Sequence, residues 1–213
     1  MSFSRRNFVQ ALGLSLLTPF TLRSLASDQS LPYADFILGT APSNLAIDET
    51  GEVFDLSVSS GDPSISGVVL WTHINPTAYV AGQSLFLQVS LDSQFSDVFL
   101  TTEIASHNIS VERDLTVNID LDGYLNSDSQ YFYRFVYGNK TSRTGRCYTL
   151  PTGTIDKLKM AVVTCQDYTT GFYNAYNHVA NEDLQFVIHL GDFIYEYAQY
   201  EGFEDQIVHP MTL

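Results

Sequence analysis

Between residues 52 and 150, short runs rich in apolar and β-branched residues follow one another with strand-like spacing. That spacing turns one face of a β-strand toward a core and the other toward water. Seven segments carry it: 54–60, 68–74, 85–91, 98–104, 115–121, 131–137 and 143–150. Turn formers separate them, among them Gly61-Asp62-Pro63, Asn75-Pro76, Asp122-Gly123 and Gly138-Asn139, residues that supply a positive or fixed φ or a local side-chain hydrogen bond. About seven short strands in about a hundred residues predict an all-β sandwich of the fibronectin type III or immunoglobulin-like kind, here over residues 52–151. Within it, Tyr131-Phe132-Tyr133-Arg134-Phe135-Val136-Tyr137 reads as a core strand with a tyrosine corner. Trp71 reads as a core tryptophan and Cys147 as a small buried hydrophobe.

After a Pro/Gly hinge at residues 151–156 the pattern changes. Two apolar runs, Met160-Ala161-Val162-Val163-Thr164 and Phe186-Val187-Ile188-His189-Leu190, flank a stretch in which Phe172, Ala175, Tyr176, Val179 and Ala180 fall at helical spacing. An amphipathic helix follows from that spacing, with Thr169 or Thr170 able to cap its N-terminus. His178 lies off the apolar stripe and reads as a surface histidine. Strand, helix and strand in this order predict a right-handed parallel βαβ unit, the opening of an α/β domain over residues 157–213. Both strands then end at one rim, where open α/β sheets bind their ligands.

The first strand delivers Cys165 to that rim, and the second delivers Gly191-Asp192-Phe193-Ile194-Tyr195-Glu196. Asp192 can bridge two cations, Cys165 can bind as thiolate, and Tyr195 as phenolate is a hard anionic ligand suited to Fe³⁺. Two such cations roughly 3.5–4 Å apart polarise a phosphoryl oxygen and activate water for in-line attack. Asp167, His189 and Glu196 are candidates for supporting such a site from behind its ligands. A Gly-Asp at a strand end is also ordinary turn chemistry, and a lone cysteine is also a core residue. The residues alone leave both readings open.

Composition narrows the classes. Hydrophobic residues make up 45% of the 213 and charged residues 16%, a globular balance. The formal net charge is −14, and Arg5, Arg6 and Arg23 all precede the first acidic residue, Asp28, so the remainder is more negative still. Such a surface repels nucleic acid, which excludes a nucleic-acid-binding role. Two cysteines, Cys147 and Cys165, are too few for a disulfide framework. At the N-terminus, Ser4-Arg5-Arg6-Asn7-Phe8-Val9, a modest apolar run to Phe20 and Ser24-Leu25-Ala26 form the pattern of a twin-arginine export signal with a small-x-small cleavage site over residues 1–26. An amphipathic first helix or a single membrane anchor is the alternative, but the run is too short to span a bilayer. The expectation is passage through the twin-arginine translocation machinery to the periplasm or the exterior, with no transmembrane segment in the mature chain. Residues 27–51 read as a linker or N-terminal arm.

The segments Thr164-Cys165-Gln166-Asp167-Tyr168 and His189-Leu190-Gly191-Asp192-Phe193-Ile194-Tyr195-Glu196 resemble those of PhoD-type alkaline phosphatases, phosphodiesterases related to the purple acid phosphatases. Ser59-Ser60-Gly61-Asp62-Pro63, Gly67-Val68-Val69-Leu70-Trp71-Thr72, Tyr133-Arg134-Phe135 and Gly145-Arg146-Cys147-Tyr148-Thr149-Leu150-Pro151 resemble the family's N-terminal β-domain. The resemblance implies hydrolysis of phosphate mono- or diesters outside the cytoplasm with Fe³⁺ and Ca²⁺. It places Fe³⁺ on Cys165 and Tyr195, with Asp192 bridging iron and calcium. The family's remaining ligands lie in later motifs. Here no such motif follows Tyr195, and the last stretch offers His209. The expectation is therefore the N-terminal portion of a metallophosphatase, inactive without the rest of its domain. The alternative is a non-catalytic exported β-sandwich module, with a binding or structural role and a vestigial phosphatase tail.

Overall fold

The computed structural model describes residues 37–167 and 173–195. It is mostly β-sheet with little helix, and it divides into two compact units, one up to Leu150 and one from Pro151. The expected export signal, the threonines 169 and 170, Glu196 and His209 lie outside the described residues.

The first unit holds two sheets. Strands β3 (Val58–Gly61), β4 (Val69–His73) and β7 (Thr116–Asp120) form an antiparallel sheet with β4 in the middle. The larger sheet is centred on β5 (Leu85–Ser90) and β8 (Gln130–Tyr137), which pair antiparallel. On one side β5 pairs with β6 (Val98–Ile104), and β6 with β1 (Ile37–Leu38). On the other, β8 pairs with β10 (Gly145–Tyr148) along its first half and with β9 (Lys140–Thr141) at its end. β2 (Ala46–Ile47) runs parallel to β9. One hydrophobic cluster draws on both sheets: Leu85, Leu87 and Val89 from β5, Tyr131, Tyr133 and Phe135 from β8, Leu70 from β4, and Val117 and Ile119 from β7. These residues sit at every second position, so period-two alternation is what assigns them to one face.

Tyr131 is fully buried, and its hydroxyl accepts a hydrogen bond from the backbone N–H of Asn126, 2.9 Å away. A tyrosine bonded to backbone a few residues upstream is the geometry of a tyrosine corner. Gly145 lies against the Tyr133 ring so closely that a Cβ there would collide with it. Cys147 is buried in the same cluster as a free thiol, its pKa pushed up to about 12 by burial.

Three local expectations change. The strand expected over 54–60 begins only at Val58. The Asp48 carboxylate captures the N–H groups of Glu52, Val53 and Phe54 at 2.8–3.0 Å, so this backbone is satisfied by a side chain and not by a ladder. Trp71 is half-buried and lies off the core face, because Leu70 and Thr72 take that face and alternation turns Trp71 the other way. Within the stretch read as linker or arm, residues 37–38 and 46–47 add short strands to the large sheet.

The second unit contains β11 (Met160–Val163) and β12 (Phe186–His189), which pair in parallel, and between them in sequence α1 (Asn174–Ala180). Its N-cap is Tyr173, without a side-chain capping hydrogen bond. Among the described residues of this unit none is buried.

Candidate metal centre

The register of the parallel pair builds the site. Val163 lies opposite His189, so the chain leaving β11 runs beside the chain leaving β12. Backbone pairing continues past both strands: Leu190 N–H donates to Val163 O at 2.9 Å, Cys165 N–H to Gly191 O at 3.1 Å, and Gln166 N–H to Asp192 O at 3.0 Å. Gly191 has φ +126°, a conformation open to glycine and strained for other residues. Cys165 and Asp192 have φ of 57° and 54°, left-handed values that cost a non-glycine residue on the order of 1–2 kcal/mol. Such conformations persist only where surrounding bonds over-determine them, as this doubled backbone pairing does.

The three side chains singled out from sequence meet on one oxygen. The Cys165 thiol donates to Asp192 Oδ2 at 3.2 Å, and the Tyr195 hydroxyl donates to the same atom at 3.1 Å. Thr164 Oγ1 lies 3.3 Å from the Cys165 sulfur and 3.3 Å from Gly191 O. The Tyr195 phenol is held above its ordinary pKa, first by its hydrogen bond with Cys165, then by desolvation and by Asp192. In the absence of a cation it stays a neutral donor. Cys165 and Asp192 are exposed and therefore open to a ligand. Among the described residues no group of three or more His, Cys, Asp and Glu side chains gathers. The set is one thiol, one carboxylate and one phenol, three donors that become anionic together only beside a cation, and in that sense they fit one.

Of the supporting candidates, His189 accepts the Gly191 N–H on Nδ1 at 3.2 Å and stacks edge-on against Phe193, with ring centroids 5.0 Å apart. It thus braces the turn that presents Asp192. Its Nε2 is enclosed and without a hydrogen-bond partner. Asp167 is half-buried in the loop two residues beyond Cys165. His178 is exposed on α1. Sequence reasoning passed over Gln166, whose side chain bonds to Phe193 O and to Tyr176. No sequence signal marks it, because a loop glutamine gains meaning only from partners that the fold brings to it.

Comparison with known proteins bears on the whole chain. The family model of the PhoD-like phosphatase N-terminal domain matches residues 39–151, and that of the PhoD-like phosphatase matches residues 160–212. This chain belongs to the PhoD-like phosphatase family. Alkaline phosphatase D of Bacillus subtilis (strain 168) is 34% identical over 213 residues, an alignment covering 94% of this chain and 33% of the relative. A solved structure of PhoD matches with a TM-score of 0.63 at 33% identity, covering 70% of this chain and 29% of that one. The chain thus spans about a third of the length of the curated relative. Within the PhoD-like match at residues 160–212 lie Cys165, Asp192 and Tyr195.

Proposed function

We propose that this chain is the N-terminal part of an exported, metal-dependent phosphatase that hydrolyses phosphate esters outside the cytoplasm. In this reading residues 1–26 are a twin-arginine signal and residues 27–51 an N-terminal arm. Residues 52–151 form a β-sandwich, and residues 157–213 open the catalytic α/β domain with a βαβ unit. One observation carries the assignment of the site: Cys165 and Tyr195, thirty residues apart in sequence, converge on one oxygen of Asp192. Cys165 and Tyr195 would hold Fe³⁺, and Asp192 would reach both that ion and Ca²⁺. When bound, such cations supply Lewis acidity toward a phosphoryl oxygen.

The chain's own residues prepare that role. Asp192 keeps the thiol and the phenol turned toward one point, and both can release their protons as a cation arrives. The paired backbone from Val163 to Gln166 and from Leu190 to Asp192 fixes the two loops without help from a ligand. Family membership supports the substrate class, phosphate mono- or diesters, and the other ligands would come from the rest of a PhoD-like domain.

The test joins this chain to the remainder of the Bacillus subtilis relative and follows hydrolysis of a chromogenic phosphodiester with Fe³⁺ and Ca²⁺ supplied. Cys165→Ser is expected to lose bound iron and activity together, by about 10²-fold or more in rate, since loss of even a partner behind a metal ligand costs about 10–100-fold. Wild-type activity in Cys165→Ser would show that this ligand is wrongly assigned. A non-catalytic exported β-sandwich module is the second reading, favoured by the fact that every buried residue described lies before residue 151. Turnover in the joined protein, lost in Asp192→Ala, would exclude it.

A further inference from the structure

The chemistry at the rim depends on two loops staying together, and one residue touches both loops and the helix. Gln166 has each of its four polar groups engaged. Its N–H donates to Asp192 O at 3.0 Å, and its Nε2 donates to Phe193 O at 2.8 Å. Its Oε1 accepts from the Tyr176 hydroxyl at 2.7 Å, and its carbonyl accepts from the Tyr173 hydroxyl at 3.5 Å. The amide orientation follows from chemistry: Phe193 O accepts only, so the NH₂ must face it and the oxygen is left for Tyr176. Tyr173 and Tyr176 pack edge to face, with centroids 5.7 Å apart, and both are half-buried.

We propose that Gln166 is a positioning residue that sets the separation of Cys165 and Asp192 by clamping the loop after β12 to α1. This rests on reading Cys165, Asp192 and Tyr195 as a cation-holding set. Gln166 touches none of the donor atoms. It follows Cys165 directly and grips the two carbonyls that flank Phe193, so the left-handed turns at Cys165 and Asp192 are held from one point. Tyr176 extends the grip to the helix, which makes the spacing of the donors depend on where α1 lies. A solvent-facing polar residue in a loop would have no such reach.

The full chain, its Gln166→Leu and Tyr176→Phe variants and a Cys165→Ser control are compared in two ways. Amide hydrogen exchange in metal-free protein reads the clamp at residues 165 and 166, whose N–H groups donate to Gly191 and Asp192. Titration with Co²⁺ alone, followed by thiolate-to-cobalt charge-transfer absorption, reads the donors. In Gln166→Leu, which removes two side-chain hydrogen bonds, exchange at residues 165 and 166 is expected to quicken about tenfold or more, the scale of one to two lost hydrogen bonds. Co²⁺ affinity should fall by about the same factor, while exchange in β5 and β8 stays unchanged. Tyr176→Phe keeps the ring packing and removes one bond, so it should show the same changes at smaller size. Wild-type exchange in both variants overturns the clamp. Faster exchange with undiminished Co²⁺ affinity overturns its positioning role and leaves the cation-holding set standing. A wild-type chain without a Cys165-dependent band overturns the cation-holding set, and this proposal with it.

Discussion

Both units are built on short apolar strands, and they place those strands in opposite surroundings. On β8, Tyr131, Tyr133 and Phe135 are 0%, 2% and 0% exposed. On β12, Val187 and Ile188 are 52% and 42% exposed, and on β11 Val162 is 57% exposed. β8 lies between neighbours in a seven-stranded sheet, and a second sheet contributes to the same core. Among the described residues, β11 and β12 form a sheet of two, with one seven-residue helix between them in sequence. The two described strands and two turns of helix alone present too little surface to bury each other. The difference separates two tasks within one chain. The described residues before 151 supply the packing, whereas those after it bring Cys165, Asp192 and Tyr195 together and supply little packing. Sites that must admit ligands are commonly drawn from the less stable parts of a fold.

The largest expected effect is in the packed unit. Phe135→Ala removes a fully buried ring and is expected to destabilise the chain by about 3–5 kcal/mol in denaturant unfolding. A loss below about 1 kcal/mol would mean that the core is not the continuous cluster described.

A smaller effect is expected at Asp48. Burial raises its carboxyl pKa, but the N–H groups of Phe54, Val53 and Glu52, with the charge of Lys140, outweigh that and hold it below the ordinary 3.8. Because the folded pKa lies below the unfolded one, this stabilisation is present above the unfolded pKa and disappears as pH falls through the folded pKa. Asp48→Asn should lose about 1–3 kcal/mol at neutral pH, and the gap between variant and parent should close as the solution is acidified below the unfolded carboxylate value. A gap independent of pH would remove Asp48 as the organiser of residues 52–54.

The smallest effect is expected in the second unit. Val187→Ala should change unfolding by no more than about 0.5 kcal/mol, as for an exposed position. A cost approaching that of Phe135→Ala would break the contrast, because it would mean that the β12 face is covered in solution.

Much of the fold was legible as period two, since a strand with one buried face must repeat its apolar residues at every second position. The failures have local causes. Phe54 and Leu56 fall at strand spacing, yet the backbone from Glu52 to Phe54 is organised by a carboxylate four to six residues upstream, which no periodicity encodes. Strands of two residues, such as Ala46–Ile47, are shorter than one period and leave no pattern. Residue type points Trp71 inward, but its position between Leu70 and Thr72 in the alternation turns it out of the core. At the site, Cys165, Asp192 and Tyr195 were legible because each is a chemically distinctive residue at the end of an apolar run. Gln166 was not, because a glutamine in a loop is unremarked until its partners are known.

From the sequence alone one reads the succession of short strands, the change of pattern near residue 151, the family, and the distinctive residues Cys165, Asp192 and Tyr195 beyond β11 and β12. Which atoms meet is settled by the fold. The parallel register that sets Val163 opposite His189 brings Cys165 beside Gly191 and Asp192. A slip of that register would carry the thiol away from the carboxylate with no change in composition or spacing. Register is a property of two segments together, fixed by hydrogen bonds between residues more than twenty positions apart, and no local pattern in either segment contains it.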